Sequence, residues 1–510
     1  MLKERFRFLF QTTKGLVLVA IAGIGLATAV FGMLSGPMAE LGIRDVVVRL
    51  TGMTLLPAER EGRIVMLYHS IAMAVVAIET YIITGLIPMK ERQRTTINNT
   101  ITIGYLLSMI FGLGFAYFGG NWIAHGLFIV GQTLVYFAGV LLAAALWPWK
   151  EEYKVKDPAY AHTKNGYDLE RIAFFTMAVV TLGSALFGAV AGAYFGNGFE
   201  SFLAEDVVRN PHKPILQKAI IGHLHIMLSL IGIAITLVVG RWQDFKGGLH
   251  KWAMPFMIIG SIILSLGAWA VTLFEWAHVI IYVGSTFAMV AALFFVIFSW
   301  DKLIRSGQAE RGITKGNFFQ KIRALVRDPL RFGVGWQMVF MNFTVSGVGL
   351  FMAAKLDELF RVWPHREERI VLTGHWHILA AIIATIILMY YADLAGLKGR
   401  VRTLFGWLVI ISSDLAFGSM TIFEMKRLFV TEAEQQALVD LTMILTDMGL
   451  GLLLVVLCIL MVWRLRDLFR KKGRWTQEQR DDLDASFSEA EERMQASASS
   501  VEPAAEGEVL

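Results

Sequence analysis

Five histidines on three hydrophobic stretches offer most of the chemistry in this sequence. One stretch reads Gly222-His223-Leu224-His225-Ile226 and another Gly374-His375-Trp376-His377-Ile378. A third carries Arg63 six residues before His69, just as Arg369 stands six before His375. The intervals are 154 residues from His69 to His223 and 152 from His223 to His375. A second pattern keeps the same period. Ala124-His125, Val130-Gly131 and Thr133 recur 153 residues on as Ala277-His278, Val283-Gly284 and Thr286. An ionisable side chain in an apolar stretch is costly and marks function by default. A lone histidine there serves equally well as a hydrogen-bonding group between helices. Paired histidines repeated at one depth point instead to a shared ligand.

Helix geometry says what kind of ligand. Residues two apart on a helix point about 200° apart. His375 and His377 therefore serve two sites on opposite faces rather than one small ion. Neutral imidazole is a good axial ligand for haem iron. The single cysteine, Cys458, excludes an internal disulfide framework and any cysteine-ligated cluster. Few acids lie at the depth of the histidines, so a carboxylate-rich metal site fits poorly. Six residues past Arg63 or Arg369 is about 9 Å along the axis, which puts the irons in the outer half of a bilayer.

The elements that must position these side chains are hydrophobic helices. Of 510 residues 55% are hydrophobic and 17% charged, with mean hydropathy +0.56. Soluble, disordered and fibrous classes are excluded, since soluble proteins average about 25% charged residues. Twelve helices are expected, near 15–35, 64–88, 99–118, 122–147, 172–194, 215–240, 252–274, 278–300, 333–354, 370–392, 403–423 and 440–463. The first reads as a retained helix, being too long for a cleaved signal. Lys and Arg number 32 on the side of the even-numbered loops and 13 opposite, which places both termini in the cytoplasm. The net charge of +5 lies mostly in those loops and gives no sign of nucleic-acid binding.

The fold class expected is all-α integral membrane: twelve transmembrane helices in three pseudo-symmetric four-helix repeats near 15–150, 170–302 and 333–466. A cytoplasmic N-terminus (1–14) precedes the membrane domain (15–470). A disordered acidic tail (471–510) follows, with a short helix around 480–495.

Twelve helices in three repeats, a histidine in helix 2 and His-x-His in helix 10 resemble subunit I of the haem–copper oxidase superfamily. The Arg-rich entry to helix 2 and the Gly-His-x-His of helix 10 are most similar to its cbb-type oxidase and nitric oxide reductase branches. The resemblance covers about residues 10–470. It implies a respiratory-chain oxidoreductase with two haems, b-type, in the inner membrane of a prokaryote. Such a protein takes electrons from quinol or a c-type cytochrome and works beside companion subunits and membrane lipid. It implies His69 and His377 as axial ligands of a low-spin haem, and His375 as axial ligand of the second haem. His223 and His278 then correspond to ligands of a non-haem copper or iron, and Lys426 and Arg427 to partners of haem propionates.

The sequence departs from that pattern. Val279 follows His278 where the resemblance implies a second histidine, Met227 stands four residues after His223, and His225 is additional. Pseudo-symmetry pairs His225 with His375, which makes the second haem six-coordinate and closed to gas. An alternative gathers His223, His225 and His278 around a reduced non-haem metal site. The functional readings are a terminal oxidase or NO reductase, an electron-transfer cytochrome b without gas chemistry, and a secondary transporter. Glu79, Asp414 and Asp447 fall inside hydrophobic segments and are candidates for a proton path.

Overall fold

The computed structural model describes residues 2–32, 34, 39, 41–195, 203–204, 214–314 and 316–481. All regular structure in them is helical, apart from two isolated β-bridges that pair Lys154 with Tyr167 and His162 with Asp168. Twelve helices are long and apolar enough to cross a membrane. In chain order, helices 1 to 6 are Thr13–Phe31, Pro57–Leu86, Glu91–Tyr117, Trp122–Ala145, Leu169–Ala193 and Lys218–Trp242. Helices 7 to 12 are Gly248–Ala270, His278–Ala309, Pro329–Ala354, Ile370–Leu394, Gly399–Glu424 and Glu432–Phe469.

Each overlaps its expected range, and the differences are physical. Helix 8 runs on beyond its apolar core because Asp301 and Arg305 bridge at 2.8 Å one turn apart. Helix 12 starts early, with Gln436 donating to Asp440 at 2.8 Å. Helix 9 is not one regular helix: Met341–Gly347 is a π-helical turn between α-helical Pro329–Phe340 and Val348–Ala354. Such turns concentrate at functional sites.

Three short amphipathic helices, Leu2–Gln11, Ile43–Thr51 and Phe318–Leu325, were not among the expected elements. The first lies within the N-terminal segment 1–14, for which no element was expected. Its Phe8 is fully buried, 6.2 Å from the ring of Trp475. The tail also departs from expectation at its start. Residues 474–481 form a helix docked on the end of helix 12. Trp475 is 2% exposed, and Arg464 donates to both carboxylate oxygens of Glu478, at 3.3 and 2.7 Å. The expected helix around 480–495 and the rest of the tail lie outside the described residues beyond 481.

Helices 3 and 4, 7 and 8, and 11 and 12 form the most extensive pairings. Helix 4 also packs on 5, helix 8 on 9 and helix 12 on 1. Helix 6 lies between helix 2 and helix 10. Glycine permits the three tight pairings. A Cβ on Gly131 would meet Ser108 N at 2.5 Å, one on Gly449 would meet Ala416 N at 2.6 Å, and one on Gly284 would strike the backbone of Leu264. Small residues of this kind let helix backbones approach closely in lipid.

The Gly of the repeated Ala-His motif is thus part of the scaffold. Its threonines do nothing more exotic: Thr133 and Thr286 donate to the carbonyls of Ile129 and Tyr282, one turn back.

Removing Glu478 takes two charge-assisted hydrogen bonds from the buried Arg464 and leaves it Asp467 at 3.6 Å, a loss of about 1.5–3 kcal/mol. Glu478→Ala should lower stability by that amount in detergent-solubilised unfolding. A change below about 1 kcal/mol would contradict the docked tail helix.

Candidate functional site

Helices 2, 6 and 10 bring the histidines together at one end of the bundle. His69 of helix 2 faces His223 of helix 6, with ring centroids 6.4 Å apart and planes within 11°. His225 of helix 6 faces His375 of helix 10 at 6.3 Å, with planes tilted by 41°. His377 meets Tyr68 edge-on at 5.1 Å. Helix 6 is therefore a hub: its first histidine serves helix 2 and its second serves helix 10, as the rotation between alternate residues requires.

Among the described ring contacts, His69 meets His223 where the resemblance had paired it with His377. Tyr68, one residue earlier, occupies the contact with His377. The His225–His375 proximity is the one that pseudo-symmetry anticipates.

Backbone carbonyls orient the first pair. His69 Nδ1 lies 2.9 Å from the carbonyl of Val65, and His223 Nδ1 lies 3.1 Å from that of Ser184 on helix 5. A carbonyl only accepts, so both Nδ1 atoms carry the proton and Nε2 keeps the lone pair. This is the arrangement that metal-binding histidines use, with one nitrogen fixed by an acceptor and the other presented to the metal. Two metal–nitrogen bonds of about 2 Å plus two ring radii of about 1.2 Å separate opposed imidazoles by about 6.4 Å. Both pairs have that spacing.

The second pair is more enclosed. His375 is 7% exposed, and Trp376 covers the pair, edge-on to His225 at 4.5 Å. Gly349, just past the π-helical turn, lies where a Cβ would sit 3.6 Å from His375 Nε2.

Among the described residues no three His, Cys, Asp or Glu side chains converge on a point that could hold a metal ion. The His223, His225 and His278 grouping is accordingly not assembled, because 223 and 225 look to different helices. His278 starts helix 8 and is partly buried. His125, its counterpart in the repeat, lies against Phe115 and Phe128.

The outer charges have protein partners. Lys426, 4% exposed, forms an ion pair with Glu367. The Arg427 guanidinium lies 6.0 Å from the centre of the Trp363 ring, and its Nε has no hydrogen-bond acceptor. The side chain of Arg369 lies outside the described residues.

Glu424 is a further acid beside the histidines that sequence spacing does not single out. It is 2% exposed, lies against Gly374 directly before His375, and has no hydrogen-bond partner for Oε1. Its position at the end of a hydrophobic segment makes it read as an interfacial acid. Only its location two residues before Lys426 hints otherwise.

The three proton-path candidates separate. Glu79 is buried, with Oε1 lacking a partner. Asp414 accepts from the indole Nε1 of Trp336, at 2.9 Å to each oxygen, so helix 9 holds it rather than the neighbouring serines. Asp447 lies on the exposed face of helix 12.

No family model matches the chain. A comparison with curated proteins finds no match either.

A Cβ on Gly188 of helix 5 would land on the His223 ring. Gly188→Ala should therefore lower the thermal midpoint in detergent. Overpacking costs about 1–3 kcal/mol, against about 1 kcal/mol gained in helix propensity. A raised midpoint would overturn the placement of His223.

Proposed function

We propose that the chain is an integral membrane haem protein of a prokaryotic respiratory chain, relaying electrons between two b-type haems held by helices 2, 6 and 10. The observation that carries this reading is the occurrence of two imidazole pairs, each with the spacing of two ligands on one iron. His69 and His223 would hold one haem, and His225 and His375 the other. When bound, haem iron takes up and releases one electron at a time. The chain supplies the neutral imidazoles, fixes two of them through Val65 and Ser184, and walls the second pair with Trp376.

Several observations support the bilayer setting. They are the twelve helices, the excess of Lys and Arg on one side and the glycine-mediated contacts. Both termini then lie in the cytoplasm. Helices 3·4, 7·8 and 11·12 pair alike, and 4·5, 8·9 and 12·1 join successive units, which favours three four-helix repeats. That arrangement supports kinship with subunit I of the haem–copper oxidases, as does the His-x-His of helix 10. Electrons would enter from quinol or a c-type cytochrome through companion subunits, and the exposed Asp447 offers such a subunit a polar contact.

A pairing of His225 with His375 closes the second iron to gas and favours the electron-transfer cytochrome. The terminal oxidase or NO reductase reading retains the support of the resemblance, and copper or non-haem iron belongs to it alone. The transporter reading has the repeats in its favour, but its sites would lie nearer the midplane.

Purified protein should show a Soret band from non-covalent haem. Its absence would remove this reading and leave the transporter. His69→Ala and His223→Ala should abolish the same low-spin component, with His377→Ala leaving it in place. Loss on changing His377 instead of His223 would restore the pairing implied by the resemblance. Carbon monoxide added to the reduced protein should leave the spectrum unchanged. A shift would establish an open site and gas chemistry.

A further inference from the structure

The end of helix 12 opposite the histidines carries a cavity of about 440 Å³ that the electron-transfer reading does not use. One wall is apolar: Ile459 and Val462 are 63% and 49% exposed, with Trp463 beside them. The rim is basic, formed by Arg466, Arg470 and Arg474. Asp467 also lines it, but its carboxylate is already engaged. It accepts from the backbone N–H groups of Arg474 and Trp475, at 2.8 and 3.1 Å, and lies 3.6 Å from Arg464. Arg474 is held in place by donating to the carbonyl of Gly396 at 3.0 Å, with its guanidinium 5.6 Å from the centre of the Trp463 ring. Arg466 and Arg470 are exposed, and Lys471 and Lys472 follow them.

We propose that this cavity binds an anionic phospholipid of the cytoplasmic leaflet. The arginine rim would hold the phosphate, and the wall of Ile459 and Val462 would take the first part of an acyl chain. Guanidinium groups form strong paired hydrogen bonds with phosphate oxygens, and basic pockets on the cytoplasmic side of helices recognise anionic headgroups. The twelve residues from Ile459 to Arg470 cover about 16 Å along the axis. That is close to one leaflet of a hydrocarbon core about 30 Å thick. This amphipathic depth distinguishes a lipid from the two competing occupants. Free phosphate has no use for the apolar wall, and the acidic residues beyond 481 would have to enter the hydrocarbon to reach it. The proposal rests on the bilayer placement above and not on the haems.

The test uses the full chain purified in an uncharged detergent. Native mass spectrometry reads retained lipid. The thermal midpoint is followed on addition of phosphatidylglycerol, phosphatidylcholine or inorganic phosphate. The wild type should retain anionic lipid, and phosphatidylglycerol alone should raise the midpoint. Replacing two rim charges, Arg466→Gln with Arg470→Gln, should weaken phosphatidylglycerol binding about thirtyfold, at about 1 kcal/mol per charge. Ile459→Trp keeps every charge, fills the apolar wall and should also abolish retention.

Equal stabilisation by phosphatidylcholine or by phosphate would overturn the proposal. So would no effect of phosphatidylglycerol, the result expected if the chain's own acidic residues fill the cavity, or undiminished binding in the variants. A chain that stays in solution without detergent would instead refute the bilayer placement. Absence of haem would leave the lipid result standing.

Discussion

An imidazole inside an apolar helix bundle must have its nitrogens answered, and one helix cannot aim two histidines spaced two apart at the same point. Most of the site follows from these two constraints. His223 and His225 are forced onto opposite faces of helix 6, so that helix must lie between two partners, and it does, with helix 2 on one side and helix 10 on the other. The histidines of those partners then complete two separate pairs at nearly equal spacing. Nδ1 of the first pair is answered by backbone carbonyls, one from its own helix and one from helix 5. The second acceptor explains why helix 5 needs a glycine at position 188: the His223 ring must lie almost on its backbone to reach Ser184.

The repeated sequence motifs divide between scaffold and site. The Gly of Val130-Gly131 and Val283-Gly284 sets the closeness of helices 3·4 and 7·8, and Gly449 does the same for 11·12 without the rest of the motif. A residue pattern recurring at one period thus marks a recurring packing solution as readily as a recurring ligand. The His-x-His stretches differ in that their side chains meet one another across helices 2, 6 and 10 and do not set the closeness of a helix pair.

The twelve long helices are legible in the sequence because hydropathy over about 20 residues is a strong signal. The meeting of helices 2, 6 and 10 is legible through their histidines. Pairing is not. Tyr68 and His69 differ by one residue and about 100° of rotation, and which of them meets helix 10 depends on how helix 2 is turned in the bundle. Asp414 and Asp447 look alike as intramembrane acids, yet one is held by Trp336 and the other lies on an exposed face. Helix azimuth decides this, and sequence spacing does not encode it. The docked helix over 474–481 is hidden for another reason. Its surroundings are charged and polar, and it is held by long-range partners, Phe8 and Arg464, whose proximity only the fold creates.

The spacing of the imidazole pairs bears on how they are used. Two rings sharing an N–H···N hydrogen bond of about 2.9 Å would have centroids about 5.3 Å apart. Two rings stacked face to face would be near 3.5–4 Å. Separations of 6.4 and 6.3 Å exceed both and equal the span of two imidazoles on one metal atom. Edge contact through ring carbons would come out near 6 Å. In His69 and His223 the carbonyls of Val65 and Ser184 take the Nδ1 protons and leave Nε2 unprotonated, the state that the haem proposal requires of both rings.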